Sequence, residues 1–260
     1  MSHEDDILPS SDVIEGAKHP SQALDVIGHG RGEELFVEAL NENRLHHAWM
    51  ITGPKGIGKA TFVWRLAKYL LCTPIKQDGP SLFGDAEDSI TSLDIAPDHP
   101  VLRRIQAGSE GRLSIVRRLY DEKRKTFKAQ ITVEEIRKLK SFFALSSADG
   151  GRRVVIIDAA DDMNVNAANA LLKVLEEPPQ HTILLLISHQ PSRLLPTIRS
   201  RCRTLRLNAL SQADIDQVLA AQDLDISPAE MSALGTLSAG SAGEAIRLAQ
   251  HQGPKVYENI

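Results

Sequence analysis

Aromatic residues make up only 4% of this 260-residue chain, so any core must rest on Leu, Ile, Val and Ala. Cysteine is scarce too: Cys72 and Cys202 stand alone and far apart, which excludes a disulfide framework and fits a reducing compartment. Long apolar runs are missing; the longest falls about ten residues short of the roughly 18 that a membrane-spanning helix needs. The opening, "MSHEDDILPSSDVIEGAKHP", has no basic start followed by an apolar stretch, so no secretory signal is expected. Together these deficits predict a soluble, cytoplasmic protein with no membrane partner. An overall excess of positive charge is also missing. The net charge of −4 argues against a global affinity for nucleic acid. Locally the balance reverses, because residues 101–140 hold 12 Lys/Arg against 5 Asp/Glu.

What is present is an alternation of buried strands and amphipathic helices. Residues 1–22 are polar, contain Pro9 and Pro20, and are read as a loose tail. "HAWMITG" is a short apolar run ending in glycine, and "ATFVWRLAKYLLC" repeats apolar residues at helical spacing. Residues 73–130 hold no clear period and are read as an irregular, partly basic insert. Order is expected again at Thr132, where "TVEE" has the form of a capping box before "IRKLKSFFAL". "VVIID" and "HTILLLIS" are buried strands, "NVNAANALLKVLEEPP" is a helix stopped by prolines, and "TIRSRCRTLRL" alternates like a last strand. This order predicts a parallel α/β sheet with crossover helices over residues 23–208. Beyond Ser211 strands disappear, and three short helices predict a small all-helical unit over residues 209–253.

Three stretches carry candidate chemistry. "GPKGIGKAT" lies between a strand and a helix, the context that gives a G-x-x-x-x-G-K-[ST] phosphate loop its meaning. Gly53, Pro54, Lys55, Gly56, Ile57 and Gly58 would turn backbone N–H groups toward phosphate oxygens at a helix N-terminus, and Lys59 would reach the β- and γ-phosphates. Ala60 stands where the magnesium-binding hydroxyl belongs. Thr61 follows, but one residue along a helix rotates a side chain by about 100° and turns it away from the ion. The second stretch is the strand ending in Asp158, a pattern in which the carboxylate serves magnesium. A hydrolytic site needs a general base beside it, and the next residue is Ala159. Asp161 and Asp162 are read as solvent-facing acids. The third stretch is "TIRSRC". Arg199, Arg201 and Arg203 would share one face of an extended segment. They suit either a basic edge strand that resists aggregation or an arginine finger at a subunit boundary. His46 and His47 would point opposite ways and serve packing or capping, with no metal ligation.

"HAWMITGPKGIGKAT", "DAAD", "ANALLKVLEEPP" and "LLPTIRSRC" together resemble the clamp-loader AAA+ proteins, over about residues 25–253. That resemblance implies an AAA+ P-loop domain followed by a helical lid. It further implies a stator that does not hydrolyse ATP and inserts Arg201 in trans into a neighbouring motor subunit. Arg247 matches a lid position that carries a sensor arginine in the family, although a surface arginine on an amphipathic helix has the same pattern. Implied partners are the motor ATPase and delta subunits and, through the complex, the sliding clamp and primed DNA. No cofactor is required for such a role, and ATP or ADP in the degenerate loop stays open; so does the alternative of an active AAA+ ATPase. Many relatives carry a four-cysteine zinc module after the P-loop helix. Only Cys72 lies in that stretch here, so no zinc is expected. The basic run instead suits a contact with a nucleic-acid backbone or an acidic partner, or a solvated loop. Residues 254–260 are read as the start of a missing collar domain.

Overall fold

The computed structural model describes residues 11, 13–14, 17–23, 25–75, 89–144, 150–222, 224 and 226–251. Helix α1 (Gly30–Asn41) precedes strand β1 (Ala48–Thr52), every residue of which is buried. After the glycine loop come α2 (Lys59–Cys72), α3 (Pro100–Gln106), β2 (Leu113–Arg117) and a two-stranded hairpin of β3 (Tyr120–Asp121) and β4 (Thr126–Phe127). Helix α4 (Val133–Ala144), β5 (Arg153–Asp158), α5 (Val165–Glu176), β6 (Thr182–Ser188), α6 (Pro196–Arg199) and β7 (Arg203–Arg206) complete the sheet region. Helices α7 (Gln212–Ala220), α8 (Pro228–Leu237) and α9 (Ala242–Gln250) follow.

The five strands pair in the order β2-β5-β6-β1-β7, all parallel. Strand residues alternate between the two faces, as a period of two requires. Ile51, Ile156, Leu185 and Ile187 pack with Phe36 of α1 and Phe62, Leu66 and Leu70 of α2. Met50, Val155, Ile157, Leu184 and Leu186 pack on the other face with Ile136 and Leu139 of α4 and Leu171 and Leu175 of α5. Both faces are covered, so β5 and β6 read as continuous apolar runs. The last three helices enclose a separate cluster centred on Ile215, Leu219, Leu234 and Ala245. Ser211, Ser227 and Ser241 each cap one of them, accepting from the amides of Asp214, Glu230 and Glu244. Among the described residues no helix is long and apolar enough to cross a membrane.

Several expectations need correction. The stretch 73–130 is not an irregular insert throughout. Its β2 is an edge strand of the main sheet, held by parallel pairing to β5 from Leu113↔Val154 to Arg117↔Asp158. Only Val116 of β2 is fully buried, which is why its period is faint. The "TIRSRC" segment is not extended: Pro196 opens the short helix α6, and the strand begins only at Arg203. The tail 1–22 is not loose at its end. Pro20–Gln22 form a 3-10 turn with Pro20 buried, the His19 ring meets Trp64 edge-on at 5.8 Å, and Lys68 donates to the Ala23 carbonyl at 2.6 Å. The reading of residues 254–260 lies outside the described residues.

Candidate functional site: a P-loop with its lysine turned inward

The loop leaves β1 at Gly53 and enters α2 at Gly58. Gly58 caps the helix with a φ of 95°, a left-handed conformation that glycine alone takes without strain. Beneath it, His29 is buried, and its Nε2 lies 2.7 Å from the Ile57 carbonyl oxygen. That spacing fits an Nε2–H donating to the carbonyl, which braces the loop from α1. Lys59 is 3% exposed, although Pro54 and Lys55 are on the surface. The Lys59 ammonium donates to the loop's own carbonyls, Gly53 at 2.9 Å and Pro54 at 2.5 Å. Burial lowers its pKa to about 8, against the opposing pull of Asp158 and then Asp161. Thr61 is half-buried in the first turn of α2.

The ends of β5 and β6 supply the rest of the site. Asp158 and Asp161 are both buried. The reading of Asp161 as a solvent-facing acid is therefore wrong: a 3-10 turn over Ala160–Asp162 tucks it in, and it accepts from the His189 amide at 3.0 Å. Asp162 is more open and pairs with Arg118 at 3.0 Å. His189 follows the last residue of β6. Burial pushes its pKa down to about 4, with the charge of Lys59 as the next cause. Its Nδ1 and the Ser188 hydroxyl are buried without a hydrogen-bond partner among the described residues. His29, Asp161 and His189 are site residues that motif reading missed. A usable signal existed for His189, because it is the first non-strand residue at the C-terminal end of the strand beside β1, where parallel sheets gather ligands.

The lid sits on the loop. The Gly243 amide in α9 donates to the Gly56 carbonyl at 2.9 Å, and Gly56 has φ of 79°. A Cβ on Gly56 would lie 2.2 Å from the Ser241 hydroxyl oxygen, so only glycine permits this approach. Arg247, one turn further along α9, is exposed, and Glu244 holds it through a hydrogen bond at 3.0 Å and a second contact at 2.5 Å.

Arg199 and Arg201 of "TIRSRC" and the Arg203 that follows do not share a face. Arg199 ends α6, exposed, and Arg203 lies over the Trp49 ring at 4.8 Å. Arg201 is half-exposed in the turn between them. Its guanidinium donates to the Thr197 carbonyl at 3.1 Å and pairs with Glu176 of α5 at 2.9 Å. The two histidines before β1 do not point apart either. Their rings stack at 4.3 Å, while Ala48 donates to His46 Nδ1 at 3.1 Å and His47 Nε2 lies 3.1 Å from the Leu175 carbonyl oxygen. Burial, and then the neighbouring His46, lowers the His47 pKa. Packing and capping remain their use.

Residues 28–211 match the family model described as DNA polymerase III, delta subunit. The chain is 41% identical over 157 residues to DNA polymerase III subunit delta′ of Pseudomonas aeruginosa, covering 60% of this chain and 41% of that protein. It is 33% identical over 218 residues to DNA polymerase III subunit delta′ of Bacillus subtilis, covering 84% and 58%. The chain thus spans about half the length of these curated relatives. The crystal structure of a DNA polymerase III gamma subunit-related protein from Thermotoga maritima superposes with a TM-score of 0.52 at 22% identity, over 82% of this chain and 58% of that one. The shared fold is the AAA+ P-loop domain.

Proposed function

The chain belongs to the DNA polymerase III delta subunit family, and on that footing we propose that it is the non-catalytic stator of the replicative clamp loader. In that role it helps load the sliding clamp onto primed DNA and lends Arg201 to the ATP site of an adjoining motor subunit. One observation carries the reading: a complete P-loop scaffold has alanine at both positions that hydrolysis needs. Ala60 cannot hold magnesium and Ala159 cannot polarise water. The Lys59 ammonium, aimed at its own loop's carbonyls, and the lid amide on Gly56 fit a site kept for architecture. Nucleotide is not required for this role. ATP or ADP would need Lys59 to exchange those carbonyls for phosphate oxygens.

The finger role suits Arg201 because its guanidinium is half-exposed and held by an ion pair at the surface. Such a pair is worth little in water, about 0–1 kcal/mol, and a γ-phosphate could replace Glu176 at small cost. Assembled with its motor and delta subunits, the loader carrying Arg201→Ala should lose about 10³-fold or more in ATP turnover, while this chain melts as before. Wild-type turnover in that variant would end the finger role. Separately, ATP turnover by the purified chain, with calorimetry beside it, should be nil with or without magnesium. Steady turnover abolished by Lys59→Ala would replace the stator with a motor.

A further inference from the structure

We propose that the hairpin of β3 and β4 is a nucleic-acid contact that grips a phosphate backbone through Lys123, Arg124 and Lys125. Residues 117–128 carry six Lys/Arg against two acids, in a chain whose net charge is −4. The sheet places them at a telling position. The hairpin rises from the C-terminal end of β2, the edge from which the glycine loop leaves β1 and at which β5 ends in Asp158. This is the edge where open parallel sheets receive their ligands.

The three cations are held, not strewn. Tyr120 pairs with Phe127 and Asp121 with Thr126, the two rings meet edge-on at 5.3 Å, and the Lys128 amide donates to the Leu119 carbonyl at 2.8 Å. Asp121 Oδ1 accepts from the amides of Lys123 and Arg124, both at 3.1 Å, and Lys125 takes a left-handed φ of 51° to close the turn. The foot is fastened as well. Arg118 pairs with Asp162, and Ile131 bonds to both Asp162 and Asn164 through its backbone. A pre-formed turn gives up less conformational entropy on binding than a loop would.

The chemistry of the tip selects the partner. Residues 122–126 are all exposed, Lys123 and Lys125 have no ion-pair partner among the described residues, and Arg124 reaches Asp121 only at 3.9 Å. One of the two acids, Asp121, is occupied with the turn amides. No apolar side chain stands at the tip; the exposed Leu119 is at the foot. Protein interfaces draw their affinity from buried aromatic and arginine anchors, whereas phosphate backbones are bound by bare cations without sequence readout. A two-stranded ribbon also has the width to enter a duplex groove.

The test uses the full chain, a fluorescein-labelled primed-template DNA and anisotropy at 25 to 200 mM salt. Lys123→Ser/Arg124→Ser/Lys125→Ser should bind at least tenfold more weakly at 50 mM salt. Its plot of log affinity against log salt should be shallower by about 2–3, the loss of up to three phosphate contacts. A control with the same charge change, Arg31→Ser/Arg44→Ser/Lys173→Ser, should keep both affinity and slope, and all three proteins should melt alike. Equal losses in both variants, or no binding by the wild type at 25 mM salt, would overturn the proposal. So would a hairpin variant that keeps its DNA affinity but fails to assemble with its partner subunits, since that would make the hairpin a protein contact. The reading rests on the clamp-loader role only for the choice of primed DNA. ATP turnover of the assembled loader reports on the stator separately, so either idea can fail alone.

Discussion

Lys59 is a charged side chain held out of water by its own loop. Its folded pKa of about 8 lies below the ordinary 10.5 because desolvation outweighs the attraction of Asp158 and Asp161. Between those two values the unfolded chain holds a proton that the folded protein has released, so stability climbs with pH across that window and is flat below it. Lys59→Met removes the titration. The stability of the wild type relative to this variant should therefore rise from pH 8 to 10.5 and hold steady from pH 6 to 7.5, as read from urea midpoints. Lys68, also lowered to about 8 by burial, is present in both proteins and cancels. Parallel curves across the whole range would mean that Lys59 is not buried as charge. The same residues define how far motifs could be read. Gly53, Gly58, Lys59 and Asp158 were legible because their spacing is set by local backbone geometry. Asp161 and His189 were not, since what makes them site residues is the meeting of two strand ends and a 3-10 turn distant in sequence.

At the scale of elements, legibility follows burial. Strands β1, β5 and β6 are enclosed on both faces and announce themselves as apolar runs; α2 and α5 carry clear stripes. Edge strand β2 escapes pattern reading because its residues are mostly half-buried, with Val116 alone fully buried, and α6 reads as strand because four residues cannot display a helical period. The alternating arginines around Ser200 misled for the same reason: alternation is evidence of a shared face only if the backbone is extended. The buried helices, by contrast, should behave as core elements do. Leu171 in α5 is fully buried between α4 and the sheet. Leu171→Ala should lower unfolding free energy by about 3–4 kcal/mol through lost transfer energy and a residual cavity. Chemical denaturation measures it, and a loss below about 1 kcal/mol would show that the surrounding side chains close the gap.

The whole molecule is two bodies of side chains that meet at the glycine loop and beside Gly28. The sheet cores and the lid core are separate clusters, and their contact at the P-loop is narrow. It includes the Gly243 amide on the Gly56 carbonyl and the glycine approach that leaves no room for a Cβ, and a second contact lies at Gly28, where an added Cβ would come 2.4 Å from Leu210 Cδ2 and 2.9 Å from the Asp214 carboxyl carbon. A Cβ on Gly243 would come within 3.3 Å of the Gly56 Cα and 2.5 Å of the Ile14 side chain. Valine there adds more bulk than the gap holds. One hydrogen bond and two glycine contacts are a small share of the stability of a domain, commonly about 5–15 kcal/mol, so the lid should open by itself before the sheet unfolds. Gly243→Val should then speed hydrogen exchange in α9 and at the loop amides, while β5 and β6 exchange as in the wild type. The global urea midpoint should barely move. If exchange quickens equally in the sheet, lid and sheet unfold as one unit, and the loop is a structural joint that cannot open on its own to admit a nucleotide.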